Sequence, residues 1–490
     1  FKQYRIMKAD KASILIESDV VRESLPPTLF GFNMNFFEFQ EDYIKQSSTS
    51  INKQLILALK PFQGALYRYP GGLVANTFDW EASTGPLFGR VARKSVKWAP
   101  AGKARFGVDE YLEFVKGNDG QPWYVLNLVG WDDELMHNEL PSTQIAKKNK
   151  RLALHLKNNW PFPNKKRYYQ LGNELDRSIY EWSTEKYIAR CLDTIKAIQE
   201  VDPEAKFVAF LRDFDWHYKS RMGKSRFTDF IKDVLLALPM VNDISLHMYY
   251  DKYDKSGVRT DIVYRMERFM AALDVASLSR QGETPRLWIT EHARAMSETQ
   301  KKASVRHHLT SGLSGAISTA DFLCVIAQLP HIYGACWHVL GGVYWKLLQE
   351  DNGQLYPTPV YHALSLLKRL NLPIVLKSYT SSPNFSDYEG GYDIRATAFT
   401  DKSGRKLGLW VVNRSSGQRL FDVQNKTFSE TNVKVEHSYL AGQQEQDVDI
   451  MYHPQLVLNQ VLTKSFSKSG VLLVILPPAS ISTFLIEPLL

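Results

Sequence analysis

Cysteine is scarce: the chain of 490 residues has three, Cys191, Cys324 and Cys336, far apart. That count excludes a disulfide framework and a CxxC-type metal site, and leaves core thiols. No HExxH and no Walker-type glycine loop is present, and the histidines of "RHHL" (306–309) stand without partners. Metal and nucleotide chemistry therefore has no signature, and neither a metal nor a cofactor is expected. The last apolar stretch, "VLLVILPPASISTFLI", is broken by two prolines and is too short for a bilayer helix, so no membrane partner is expected. A large excess of one charge is also missing. Sixty Lys and Arg against 52 Asp and Glu leave +8, a solvated basic surface rather than the concentrated basic face of a nucleic-acid reader. The chain opens at Phe1 rather than Met, which is compatible with a removed leader, and a periplasmic or secreted location is slightly favoured over the cytoplasm.

What is present is a rhythm. Eight short runs rich in aliphatic, β-branched and aromatic residues recur: "LFGFNMNF" (29–36), "GALYRYPG" (64–71), "WYVLNLVG" (123–130), "RYYQLGNE" (167–174), "KFVAFL" (206–211), "DISLHMYY" (243–250), "RLWITEH" (286–292) and "ACWHVL" (335–340). Amphipathic segments such as "TQIAKKNKRLALHLKNNW" and "STEKYIARCLDTIKAIQEV", the latter capped by Ser183, lie between them and supply the helix that a parallel crossover needs. Eight alternations predict an α/β fold, a (β/α)8 barrel over residues 28–370. After residue 370 alternating strands and turns predict a C-terminal antiparallel β-sandwich over 371–490, joined by N-terminal strand material from 1–27.

Catalytic groups of such a barrel sit at the C-terminal ends of its strands. Those ends carry Asn33, Asn35, Arg68, Asn127, Asn173, Glu174, His247, Tyr249, Glu291 and Trp337. The chain contains "NEL" twice. Glu139 lies in a long connection and reads as a surface loop residue, whereas Glu174 ends a strand behind Gly172. Two carboxylates across the barrel mouth can divide the work at a glycosidic bond, provided that they stand about 5–5.5 Å apart. Glu291 would attack the anomeric carbon, and Glu174, kept protonated by the neighbouring charge, would protonate the leaving oxygen and later activate water. Asn173 would hold the 2-hydroxyl, Tyr249 would hydrogen-bond Glu291 with His247 beside it, and Trp337 would offer a stacking face.

The chain resembles the retaining glycoside hydrolases of clan A, and within them family 51, the α-L-arabinofuranosidases and some endoglucanases. The resemblance rests on "LYRYPGGLVANTFDW", "GPLFGRVARKSVKW", "FGVDEYLEF", "LGNE", "SLHMYY", "WITEH", "PTPVYHALSLLKRL" and "LPPASISTFLI". It implies Glu174 as acid/base and Glu291 as nucleophile. The chain departs from the family at Asn35, where a sugar-binding Glu is usual, at Leu73 in place of an Asn that Asn76 could replace, and in "TEHARA" around the nucleophile.

The implied function is retaining hydrolysis of plant or algal oligosaccharides or polysaccharides by double displacement, with an α-L-arabinofuranoside as the leading substrate and an oligomer left open. The loop "FGRVARKSVKWAPAGKARF" gathers Arg90, Arg93, Lys94, Lys97, Lys103 and Arg105 around Trp98. It keeps open a β-glycosidase or endo-acting enzyme on a sulfated or uronic polysaccharide. A carbohydrate-binding protein without catalysis is the alternative outside the enzymes.

Overall fold

A computed structural model describes residues 7–8, 10–35, 53–93, 102–131, 139–175, 180, 182–210, 227–251, 259–260, 262–278, 284–296, 309–342, 344–351, 354–383, 388–389, 392–442 and 453–489. The eight runs form one closed parallel barrel with strands Gly31–Asn33, Leu66–Tyr69, Gln121–Leu126, Tyr168–Leu171, Lys206–Phe210, Asp243–Tyr250, Arg286–Arg294 and Ile332–Trp337, the eighth pairing with the first. Each strand is followed by a helix. In the helix Thr184–Gln199 the Ser183 hydroxyl accepts from the Lys186 amide, 3.2 Å, as its place in the sequence predicts.

Alternation along each strand sorts the side chains into two cores. Leu66, Trp123, Val125, Tyr168, Val208, Trp288 and Cys336 fill the barrel interior. Their neighbours Tyr67, Tyr124, Tyr169, Phe207, Leu287 and Trp337 point outward and pack under the helices.

A second sheet follows the barrel in sequence and takes in the strand Ala12–Arg22. That strand pairs antiparallel with Ile374–Ser382 and parallel with Arg419–Gln424, so the sheet is mixed rather than wholly antiparallel. A strand arriving from the far end of the chain has no hairpin to fix its direction, which is the physical reason. Ile14, Ala398, Leu409, Phe421, Val435 and Phe484 close the sheet around its own core. On the opposite face Phe399, Trp410, Val412 and Ile481 join the core of the barrel helices. The stretch Leu309–Ala327 is long and apolar enough to cross a membrane, yet 94% of that window is buried inside the protein. It holds the core helix Leu313–Ala327, which packs on barrel strand seven and on three strands of the second sheet.

Candidate active site

Strand four ends at Leu171, and the chain then turns through Gly172 (φ 79°), Asn173 and Glu174 (φ 45°). A Cβ at Gly172 would stand 2.5 Å from Leu175 Cδ1, so the turn needs glycine. A left-handed glutamate costs on the order of 1 kcal/mol, and here the turn brings the carboxylate to the barrel mouth.

Strand seven brings Glu291 to the same place by another device. Ile289 registers with Leu246 and Glu291 with His247, so Thr290 is an extra residue, a β-bulge. Trp288 faces the interior, and strict alternation would turn Glu291 outward. The bulge resets the parity, so that Glu291 points in while His292 packs outward against Phe322, ring centroids 4.7 Å apart.

The two carboxylates flank one imidazole. His247 Nδ1 lies 2.8 Å from Glu174 Oε1 and 3.5 Å from Glu291 Oε2, and the ligating atoms of the three residues all lie within 4.8 Å of one another. By distance alone the trio could hold a cation. The Arg68 guanidinium, 2.9 Å from Glu291 Oε1, supplies positive charge at that spot already. Tyr249 donates to Glu291 Oε2 at 2.8 Å, and its oxygen lies 2.9 Å from His338 Nδ1, which is itself 3.5 Å from Glu291 Oε2.

Burial would raise the Glu291 carboxyl, but His247, His338 and Arg68 outweigh it and hold the group well below the usual carboxylate range. Tyr249 moves the opposite way, because burial and then the charges of Glu291 and Glu174 push its hydroxyl well above its ordinary value. It therefore remains a donor.

Arg68 is fully buried and stands behind the pair, reaching Gln170 Oε1 (2.9 Å), Asn33 Oδ1 (2.8 Å) and Asn173 Oδ1 (2.5 Å) besides Glu291. It is placed to hold other side chains rather than a sugar. Asn76 is buried as well and clamps the Asn173 backbone, donating to its carbonyl at 2.6 Å and accepting from its amide at 3.0 Å. Asn127 ties its own loop, with Oδ1 accepting from the Val129 and Gly130 amides, 2.9 Å each. Asn35 is partly exposed and close to Glu291: a Cβ added at Gly72 (φ 78°) would lie 3.6 Å from Asn35 Oδ1 and 4.0 Å from Glu291 Oε1.

Two expectations need correction. Trp337 is fully buried on the outer side of strand eight, where its Nε1 donates to Thr319 Oγ1 at 3.3 Å, so it offers no stacking face. Its neighbour His338 has the inward parity and was overlooked, although the same alternation in "ACWHVL" points to it. A partly exposed ring beside the pair belongs to Trp345, 4.7 Å from His338 and 5.5 Å from Tyr249. Glu139 is likewise no plain surface residue, since it accepts from Trp182 Nε1 and pairs with Lys186 and Arg190.

Two arginines of the basic loop are paired inside the fold. Arg90 is buried against Glu110 and the Ala104 carbonyl, Arg93 pairs with Asp79 at 3.1 Å, and Lys103 donates to the Phe88 carbonyl at 2.9 Å. Lys94, Lys97 and Trp98 lie outside the described residues. Lys103 and Arg105 are exposed.

The family model described as the alpha-L-arabinofuranosidase 1 domain matches residues 58–256. An intracellular exo-alpha-(1->5)-L-arabinofuranosidase of Streptomyces lividans is 24% identical over 441 residues, 84% of this chain. The chain spans 65% of that relative's length. Intracellular exo-alpha-(1->5)-L-arabinofuranosidase 1 of Bacillus subtilis (strain 168) is 22% identical over 83% of each chain. The crystal structure of alpha-L-arabinofuranosidase from Thermotoga maritima, an arabinose complex, superposes with a TM-score of 0.73 over 97% of this chain and 100% of the other, at 17% identity. The expected fold and the resemblance to family 51 both hold. The expected periplasmic or secreted location does not: both of the relatives named above are called intracellular, and the start at Phe1 carried no weight against that.

Proposed function

We propose, from the premise that this chain is a family 51-like clan A glycoside hydrolase, that it hydrolyses terminal α-L-arabinofuranosides with retention of configuration. The observation that carries this reading is the pair Glu174 and Glu291, with His247 between them and ligating atoms within 4.8 Å. One oxygen of each carboxylate within that reach suits the close pair of a retaining enzyme, about 5–5.5 Å, better than the wider pair of an inverting one, about 6.5–9.5 Å.

Glu291, ionised and held by Arg68 and Tyr249, attacks the anomeric carbon as the Glu174 proton passes to the leaving oxygen. A glycosyl ester of Glu291 and a free alcohol result. Glu174, now a carboxylate, takes a proton from water as the water oxygen attacks the same carbon, and Glu291 leaves as carboxylate. The Asn173 side-chain nitrogen is buried without a partner among the described residues, and a buried amide donor of that kind suits a ligand hydroxyl. Asn35 is a second candidate for the sugar hydroxyls, and Trp345 takes the place first given to Trp337 as an aromatic face. The names of the two bacterial relatives supply the sugar and the exo mode.

The test is a panel of 4-nitrophenyl glycosides, α-L-arabinofuranoside beside β-D-glucoside, galactoside, xyloside and glucuronide. Turnover confined to or dominated by the arabinofuranoside supports the reading. Turnover of another member alone, or of none, removes it.

A further inference from the structure

The second sheet reaches the barrel through a buried cluster of four charges. Asp251, the residue after strand six, accepts from both terminal nitrogens of Arg414, at 3.0 and 3.4 Å. Arg414 also donates to Asp321 Oδ2 at 2.9 Å, and Arg395 donates to Asp321 Oδ1 at 2.6 Å. The two arginines belong to the sheet, Arg395 in Ile394–Thr400 and Arg414 just past Leu407–Asn413. The two aspartates belong to the barrel, Asp321 in the core helix Leu313–Ala327. All four side chains are 7% exposed or less.

Asp251 stands directly after strand six, and that end carries the chemistry. Asp251 is two residues from Tyr249, whose hydroxyl holds Glu291 Oε2 at 2.8 Å. Between them Tyr250 donates to Thr319 Oγ1 at 2.8 Å, and Ser318 donates to Asp251, so the same core helix grips this end from outside. Asp251 sits at φ 56°, a backbone that its surroundings must hold. A bidentate arginine bridging two buried carboxylates from different elements fixes their relative position, because either shift would leave a charge uncompensated.

We infer that Arg414 is a positioning residue for the hydrolase: by pinning Asp251 it sets the end of strand six, and with it the Tyr249 hydroxyl on the nucleophile Glu291. The second sheet is then a working part of the active site. Arg395 pairs with Asp321 in the core helix and serves as the contrasting position on the same sheet.

The inference rests on the proposed function for its kinetic readout, and amide exchange gives it a readout that needs no activity. Arg414→Lys and Arg395→Lys are compared with the wild type in the Tyr249 and Tyr249→Phe backgrounds, well below each Tm. Arg414→Lys is expected to lower kcat about fivefold with Tyr249 present and to change it little in Tyr249→Phe, the non-additivity of residues acting through one another. It also speeds hydrogen exchange in a peptide covering residues 243–251, whereas Arg395→Lys lowers Tm with kcat and that exchange unchanged. An equal fold loss in both backgrounds, or a lower Tm with unchanged kcat and exchange, overturns the inference. If Arg414→Lys fails to fold, Ser318→Ala removes one donor from Asp251 without changing charge and reports on the same strand end. A wild type without arabinofuranoside turnover would sink the proposed function, while the exchange comparison would still decide the role of Arg414.

Discussion

Strands six and seven lie side by side from Asp243 and Arg286 at one end to Tyr249 and Glu291 at the other, and their two ends are built on opposite rules. At the first end, Arg286 donates to both oxygens of Asp243 at 2.8 and 2.7 Å, and Trp288 Nε1 donates to Asp243 at 2.8 Å. Trp123, Tyr168 and Trp288 close the barrel floor with ring centroids 4.9 to 5.3 Å apart. At the second end, buried donor-capable atoms of Asn173 and His247 have no partner among the described residues, a glutamate occupies left-handed backbone, and a bulge interrupts the ladder. Satisfied polar groups stabilise; unsatisfied ones cost free energy unless a ligand completes them. The floor supplies stability, and the mouth spends some of it on a preorganised site.

Substitutions at the mouth and at the floor should therefore separate activity from stability. The largest effect is expected at Glu291→Ala, a loss of kcat of about 10^4-fold or more in steady-state kinetics, as for a nucleophile that acts as part of a unit. Glu174→Ala should lose about 10^2 to 10^4-fold on a poor leaving group and less on dinitrophenolate, which needs no proton. At the floor, Asp243→Ala should cost about 1–3 kcal/mol in urea unfolding by leaving Trp288 Nε1 and the partly exposed Arg286 without their acceptor, with kcat/KM of the folded protein unchanged. A parallel fall in kcat/KM would mean that the two ends are not separable.

Tyr249→Phe should lower kcat about 10 to 10^2-fold by removing a donor aimed at Glu291. It also tests the sign of the Glu291 shift. A carboxyl held low in the folded enzyme stays ionised as the solution is acidified, and its stabilising effect, present above the unfolded value, is lost only as pH falls through the folded one. The acid limb of kcat/KM should thus not rise to an ordinary glutamate value, and Tyr249→Phe should move any limb due to Glu291 upward. A downward move would contradict the assignment. The smallest effect belongs to Trp337→Phe, which should lower Tm by a few degrees with KM unchanged, whereas Trp345→Ala should raise KM. A raised KM for Trp337→Phe would restore Trp337 to the cleft.

The same contrast explains what the sequence disclosed. The barrel was legible because apolar runs and amphipathic segments alternate eight times, and Glu174 because an apolar strand ends on a carboxylate behind a glycine. His247 and Tyr249 share a face by simple alternation. Glu291 was found from its place at a strand end, although parity counted from Trp288 would have turned it outward; no residue type marks the Thr290 bulge. Trp337 was misread for the converse reason, since position was used where alternation decides. The cluster around Arg414 joins positions 251, 321, 395 and 414, and no local pattern encodes pairing over such separations. The parallel pairing of Ala12–Arg22 was hidden in the same way.

The most direct measurement is the product formed by Glu291→Ala from 4-nitrophenyl α-L-arabinofuranoside in the presence of azide. With the nucleophile gone and Glu174 in place, azide should enter the vacated space and restore turnover, giving β-L-arabinofuranosyl azide, the inverted anomer, by NMR. An azide of retained configuration, or a variant that hydrolyses the substrate at the wild-type rate without azide, would contradict Glu291 as the nucleophile of a retaining hydrolase.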